Sequence, residues 1–213
     1  MSELLAATGL FVLTHVLPAL GRPRQALIER FGRREYMVAY SMLSLITLTW
    51  LFVAFARAPH VALWDQTIWM RWVPLTLMPL SCMLLVGGLS VHNPLSLTLR
   101  SQGFDPARPG ILALTRHPIP WALAIWAGAH IPPNGDGAGV IMFSLLLALS
   151  LYGPFALDRK RRAFLGVEAW EALAAGNGFS RPSQWALSVV GGLVLYFAIL
   201  LGHEYVIGVS PLP

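Results

Sequence analysis

From Met37 to Ala56 the chain runs without an Asp, Glu, Lys or Arg. The same holds from Val73 to Val91, from Ala138 to Leu157 and from Trp185 to Gly202. Each run matches the ~20 apolar residues that cross a bilayer as an α-helix. Backbone inside lipid must satisfy its own hydrogen bonds, so only helices and closed barrels span it. Strand alternation is missing from these runs, which leaves the helix. Composition agrees. The chain is 56% hydrophobic and 12% charged, and a soluble domain carries about 25% charged residues. Too little polar surface exists to face water on all sides, so this is an integral membrane protein.

The length of 213 residues suits a single domain, residues 1–213, with about six spanning helices. Expected spans are Leu4–Leu20, Met37–Ala56, Val73–Val91, one within Pro109–Ile131, Ala138–Leu157 and Trp185–Gly202. Pro23 stops the first. Pro74 and Pro79 are expected to kink the third. Trp64, Trp69 and Trp72 suit a membrane interface. Phe164, Val167, Trp170 and Ala174 have the spacing of an interfacial helix over Ala163–Ala175, ended by Gly176-Asn177-Gly178. Ser188 and Gly192 form a small-xxx-small pair on the last helix. Met1-Ser2-Glu3 lacks a basic n-region, so the first run is expected to be a retained helix. Cys82 is the only cysteine, which excludes an internal disulfide and a CxxC redox pair.

Basic residues set the expected orientation. Of the 15 Lys and Arg, all but Arg57 and Arg71 fall before the first span's successor, between the third and fourth spans, or after the fifth. Arg22, Arg24, Arg30, Arg33 and Arg34 form the first of these basic loops. The positive-inside rule puts these loops in the cytoplasm and both termini outside. The expected fold is therefore an all-α polytopic bundle, N-out and C-out. The net charge of +5 belongs to helix ends and does not point to nucleic acid.

Chemistry-bearing residues concentrate between Gly110 and Asp136. Arg116, His117, Trp121, Trp126, His130, Asn134 and Asp136 sit there in an otherwise apolar stretch, where ionisable groups are expensive and mark a functional site. Pro118 and Pro120 are tolerable together only in a first helical turn, so a helix is expected to start at Pro118 with Arg116-His117 as its cap. His15 lies among Phe11, Val12, Leu13, Val16 and Leu17, where an imidazole needs a hydrogen bond or a metal. Histidines on facing helices are how a bundle holds a haem iron. His117 and His130 are about 20 Å apart along one straight helix, so they cannot share an iron. By depth, His15 lies level with His117 or His92. No zinc-type Cys/His spacing occurs, and carboxylates are too few for a di-iron site. Arg116 is placed to pair a haem propionate, a lipid phosphate or Asp158. Asn134-Gly135-Asp136 reads as a tight turn whose Asn134 or Asp136 could also orient His130.

Thr115-Arg116-His117-Pro118, Trp121, Trp126-Ala127-Gly128-Ala129-His130 and Asn134-Gly135-Asp136 together resemble the signature of the NnrU family. The resemblance extends over nearly the whole chain, through His15 with Pro18, Arg22 and Arg24, Tyr40-Ser41 and Asp158-Arg159-Lys160-Arg161. It implies a bacterial inner-membrane protein associated with denitrification, in nitrite and nitric oxide reduction. NnrU proteins are in turn similar to 15-cis-ζ-carotene isomerase, which binds haem b. The ligands implied by that relative match His15 and His130, and its nearby cysteine falls at Ala127, so thiolate ligation is absent. The resemblance thus favours His15 with His130, with His117 as the geometric alternative and Arg116 and Trp121 beside the cofactor. Gly110 with Arg116-His117-Pro118 also looks like the S-adenosylmethionine motif of membrane methyltransferases acting on isoprenylcysteine or phospholipid amines. The later acidic pair of that motif is broken here at Asp158-Arg159.

Three expectations follow. One is a haem b protein of nitrogen-oxide metabolism with redox, ligand-sensing or isomerase-like activity. Another is a methyltransferase on a lipid-like substrate. The third is a non-catalytic assembly factor for a reductase. Membrane lipids, and a hydrophobic substrate or a nitrogen-oxide reductase, are the expected partners.

Overall fold

The structure is a computed structural model and describes residues 1–16, 22–98, 103–105, 108–175 and 182–213. Pro18, Arg100, Arg181 and the Gly176-Asn177-Gly178 stop lie outside the described residues. Eight α-helices are described: α1 Ser2–Val16, α2 Arg22–Phe31, α3 Arg33–Ala56, α4 Ile68–Ser90, α5 Pro118–His130, α6 Gly137–Leu165, α7 Val167–Ala174 and α8 Pro182–Ile207. A 3₁₀ turn, Gly110–Ala113, precedes α5. Among the described residues the only β-pairing is an isolated bridge between Ala62 and Asp136. The fold is all-α, as expected.

Four helices are long and apolar enough to cross a membrane: α3, α4, α6 and the Trp185–Ile207 part of α8. They carry large apolar side chains outward, such as Leu45 and Ile46 on α3, and Val190, Val194 and Leu201 on α8. A water-soluble surface does not hold so much exposed apolar area, and lipid accounts for it. α1 has 15 described residues and α5 has 13. At 1.5 Å per residue α5 is about 20 Å long, short of a ~30 Å hydrocarbon core. Four of the six expected spans therefore correspond to helices of full length and one to the shorter α5, while α1 is described as far as Val16.

One expectation is corrected outright. The arginine-rich segment after α1 is not a loop throughout, because α2 occupies Arg22–Phe31. Leu27 and Phe31 are four residues apart and share one helical face with Ile28, so the segment has an amphipathic period that its arginines disguise. Smaller boundary shifts have local causes. α6 continues past Leu157 through Arg162, since Lys and Arg are good helix formers. It stops before Gly166, whose φ of 84° is a left-handed conformation natural to glycine.

The chain divides into two compact units. The first comprises Met1–Trp64 and Gly135–Met142, the second Asp65–Asn134 and Phe143–Pro213. In the first, α1 and α2 pack on α3. Leu4, Ala7 and Phe11 are the buried residues of α1, and Thr47, Leu51 and Ala54 those of α3, each set at the three- and four-residue spacing of one helical face. Trp64 closes against Gly135, whose carbonyl accepts from the Leu63 and Trp64 amides at 2.8 and 3.2 Å. Asp136 Oδ1 accepts from the Ala138 and Gly139 amides at 2.9 and 3.1 Å, the usual way a side chain satisfies the free N–H groups of a helix start.

In the second unit α4 is central, flanked by α5 and α8, with the 3₁₀ turn against both α4 and α8. Lipid gives helices no hydrophobic reason to associate, so close packing of small residues must hold them. Gly87 of α4 faces Ser188 of α8 and Ile111, Gly88 faces Pro118 and Ile119, and Gly192 faces the Met83 backbone. The Ser188 and Gly192 pair thus lies on the α4 contact. Pro79 cannot donate to the Leu75 carbonyl one turn back. The Tyr196 hydroxyl of α8 donates to that carbonyl instead, at 3.2 Å. Ser81 Oγ donates to the Ala122 carbonyl at 2.7 Å and ties α4 to α5.

The orientation is testable apart from the fold. A reporter active only in the periplasm should work when fused after Pro213, as the basic asymmetry requires. Function of a strictly cytoplasmic reporter at that position would reverse the topology.

Candidate functional site

α5 begins at Pro118, as its prolines require, with His117 as the preceding residue and Pro at both early positions. That start places Arg116 and His117 together at one helix end. His117 is buried, 3% exposed. Its Nε2 lies 2.9 Å from Asp158 Oδ1 and its Nδ1 2.9 Å from Ser96 Oγ. A carboxylate can only accept, so Nε2 carries the hydrogen. Burial holds the imidazole below its ordinary pKa against the pull of Asp158. The neutral ring then donates from Nε2 to Asp158 and accepts at Nδ1 from the Ser96 hydroxyl.

Asp158 is shared. Arg116 Nε lies 3.2 Å from both of its carboxylate oxygens and Nη2 lies 2.8 Å from Oδ2. This forked pairing suits a guanidinium, and it raises the Arg116 pKa further. Of the three expected partners of Arg116, the structure places Asp158 there. Asn93, buried, donates from Nδ2 to the Arg116 carbonyl at 2.9 Å and accepts from the Leu95 amide at 3.0 Å. Trp170 of α7 sits under two cations, with Arg116 at 5.3 Å and Arg162 at 5.4 Å from its ring centre. Serine, imidazole and carboxylate stand in the order of a nucleophile, base and orienting group. However, Ser96 is 2% exposed and the ring is as deeply covered, so no substrate atom reaches the serine in this arrangement. The cluster is a latch joining the start of α5, the end of α6 and α7.

His117 therefore has both ring nitrogens engaged by protein. The other two expected ligands differ. In the first unit, His15 Nδ1 lies 2.7 Å from the Phe11 carbonyl. In the second, His130 Nδ1 lies 2.7 Å from the Trp126 carbonyl. A carbonyl has no hydrogen to give, so Nδ1–H is the donor in both, and an imidazole that donates from Nδ1 has Nε2 as its ligating nitrogen when neutral. Neither Nε2 has a hydrogen-bond partner among the described residues. Each ring is also bracketed by aromatics. His15 meets Phe11 at 4.1 Å and Tyr40 at 6.2 Å between ring centres, and His130 meets Trp126 at 5.7 Å and Phe143 at 5.4 Å. An imidazole whose other nitrogen is tied to a carbonyl is the ordinary form of a metal-ligating histidine.

Other expected contributors lie elsewhere. Trp121 is 41% exposed and makes no ring contact or side-chain hydrogen bond among the described residues. Asn134 bonds the His130 carbonyl at 2.6 Å and Asp136 caps α6, so neither orients the His130 ring. Trp126 does that through its backbone, because a carbonyl one turn back is nearer to Nδ1 than any side chain beyond the helix end. Ser96, Asn93 and Trp170 are the contributors that sequence reasoning did not assign to the site. Among the described residues, no group of three or more His, Cys, Asp or Glu could hold a bare metal ion.

Long apolar helices that expose Leu, Ile and Val outward, with the Arg116–Asp158 latch at the start of α5, define a polytopic helical membrane protein. Its family is shown by a model described as NnrU protein, which matches residues 3–211. The chain belongs to the NnrU family. No curated protein and no solved structure matches it.

Proposed function

We propose that this chain is a haem b protein of the bacterial inner membrane that serves nitrogen-oxide metabolism. The family resemblance supplies the metabolic setting and the implied ligands, His15 and His130. The observation that carries the reading is the matched state of those two rings. Both have Nδ1–H tied to the carbonyl one helical turn earlier at 2.7 Å, both leave Nε2 without a hydrogen-bond partner among the described residues, and both have aromatic neighbours. His15 and His130 would each offer Nε2 to a haem iron, as imidazole ligands do. Bound there, haem would supply one-electron transfer or binding of a small nitrogen oxide. The chain's own residues would fix each imidazole's tautomer and keep water from the iron. His117, with neither nitrogen free, has a structural role in this reading.

The test is spectroscopic. His15→Ala and His130→Ala should each abolish the low-spin spectrum of bis-histidine haem in purified protein, whereas exposed His60→Ala should leave it unchanged. If His130→Ala retains the wild-type spectrum, ligation by that residue is refuted.

A further inference from the structure

The α2 segment is the strongest feature that neither the latch nor the two histidines use. It is a ten-residue helix joined to α3 at Gly32, whose φ is 90°. The left-handed turn lets the chain change direction within one residue. Leu27 and Phe31 are 44% and 56% exposed and Ile28 is half-buried, so two of the three large apolar side chains on this face of α2 stand largely clear of protein. Around the turn stand Arg24, Arg30, Arg33 and Arg34. None of the four makes an ion pair among the described residues. Arg24 stacks on the Tyr36 ring at 5.7 Å and Arg30 on Phe31 at 5.3 Å. Arg30, Arg33 and Arg34 are exposed. Only Glu29 and Glu35 offset this charge locally.

A short helix with Leu27 and Phe31 exposed on its apolar face and unpaired guanidiniums beside them has the two properties of an interfacial anchor, buried acyl contact and attraction to anionic headgroups. We propose that α2, the Gly32 turn and the first turn of α3 form a binding site for anionic phospholipid. Leu27, Ile28 and Phe31 enter the acyl layer. Arg30, Arg33 and Arg34 take the phosphate and the headgroup charge, with the forked donors that make arginine a phosphate ligand. Charge complementarity selects the occupant, because a zwitterionic lipid offers no net charge to three unpaired cations. This inference does not depend on the haem reading.

The measurement is native mass spectrometry of the full-length protein in detergent with equal amounts of phosphatidylglycerol and phosphatidylcholine. Wild type should retain phosphatidylglycerol preferentially. The triple variant Arg30→Gln, Arg33→Gln, Arg34→Gln should lose that preference by about 100-fold, on the order of fivefold per cation removed at a membrane surface. The corresponding triple Arg→Lys variant should keep most of it. Leu27→Ser with Phe31→Ser should weaken retention of both lipids together. Millimolar inorganic phosphate should not displace the lipid. Equal retention of the two lipids by wild type would overturn the proposal. So would a glutamine variant with unchanged selectivity and a wild-type circular dichroism spectrum, or competition by free phosphate.

Discussion

Gly192→Ala in α8 should destabilise the protein by about 3 kcal/mol, at the upper end of the usual overpacking cost, while Gly202→Ala in the same helix should not destabilise it at all. A Cβ at position 192 would stand 2.5 Å from Met83 Cα and 2.7 Å from Met83 N. Those are backbone atoms of α4 and cannot rotate away. Ordinary carbon contacts begin near 3.5 Å, so α8 would have to retreat by about 1 Å. The retreat reaches both neighbouring turns. One turn earlier Ser188 is buried against Gly87. One turn later Tyr196 donates to the carbonyl that Pro79 leaves free. Helices in lipid hold together through such close contacts, so little remains to offset the loss. At Gly202 a Cβ meets nothing within 4 Å, and alanine gains up to about 1 kcal/mol in helix propensity. In a thermal melt the first change should lower the midpoint by roughly 6–12 °C and the second should hold or raise it. Equal midpoints for the two variants would show that α8 does not approach α4 at Gly192.

Asp158→Ala should cost about 2–3 kcal/mol, mostly through His117. The imidazole side chain is 4% exposed, and losing its acceptor leaves a covered N–H unpaired, at roughly 1–3 kcal/mol. Arg116 contributes less. Its side chain is 42% exposed, so water replaces most of what the carboxylate gave, and up to about 1 kcal/mol is expected from that pair. The split can be measured. In a His117→Ala background, Asp158→Ala should lose most of its effect, because the shared bond is already gone. A full-sized effect of Asp158→Ala in that background would assign the latch to Arg116 alone.

These two sites differ in how much of them sequence alone marks. The four long spans are legible because an uninterrupted apolar run has no other solution in lipid. The start of α5 is legible from Pro118 and Pro120, which only a first turn accommodates. α2 is not, since its arginines mask the Leu27 and Phe31 period and suggest a loop. Asp158 stands among three expected partners of Arg116, but Ser96 and Asn93 cannot be foreseen. Both are ordinary polar residues in the segment that follows α4, and only the folded chain brings them to His117 and to the Arg116 carbonyl. The spacing of Trp170 suits an interfacial helix, and its place under Arg116 and Arg162 depends on the turn at Gly166. The Nδ1 bonds of His15 and His130 are in principle readable, since each pairs with a carbonyl four residues back. Sequence does not tell which rings lack a competing side-chain partner, and His117 shows how such a partner removes the lone pair.

The most direct measurement is the absorption spectrum of wild-type protein purified in detergent from cells supplied with a haem precursor. On the proposed haem reading a Soret band is expected, with the sharp visible bands of six-coordinate haem b after dithionite reduction, as ligation by His15 and His130 would produce. Protein that is helical by circular dichroism, yet shows no Soret band even after added haem, would contradict haem binding by this chain.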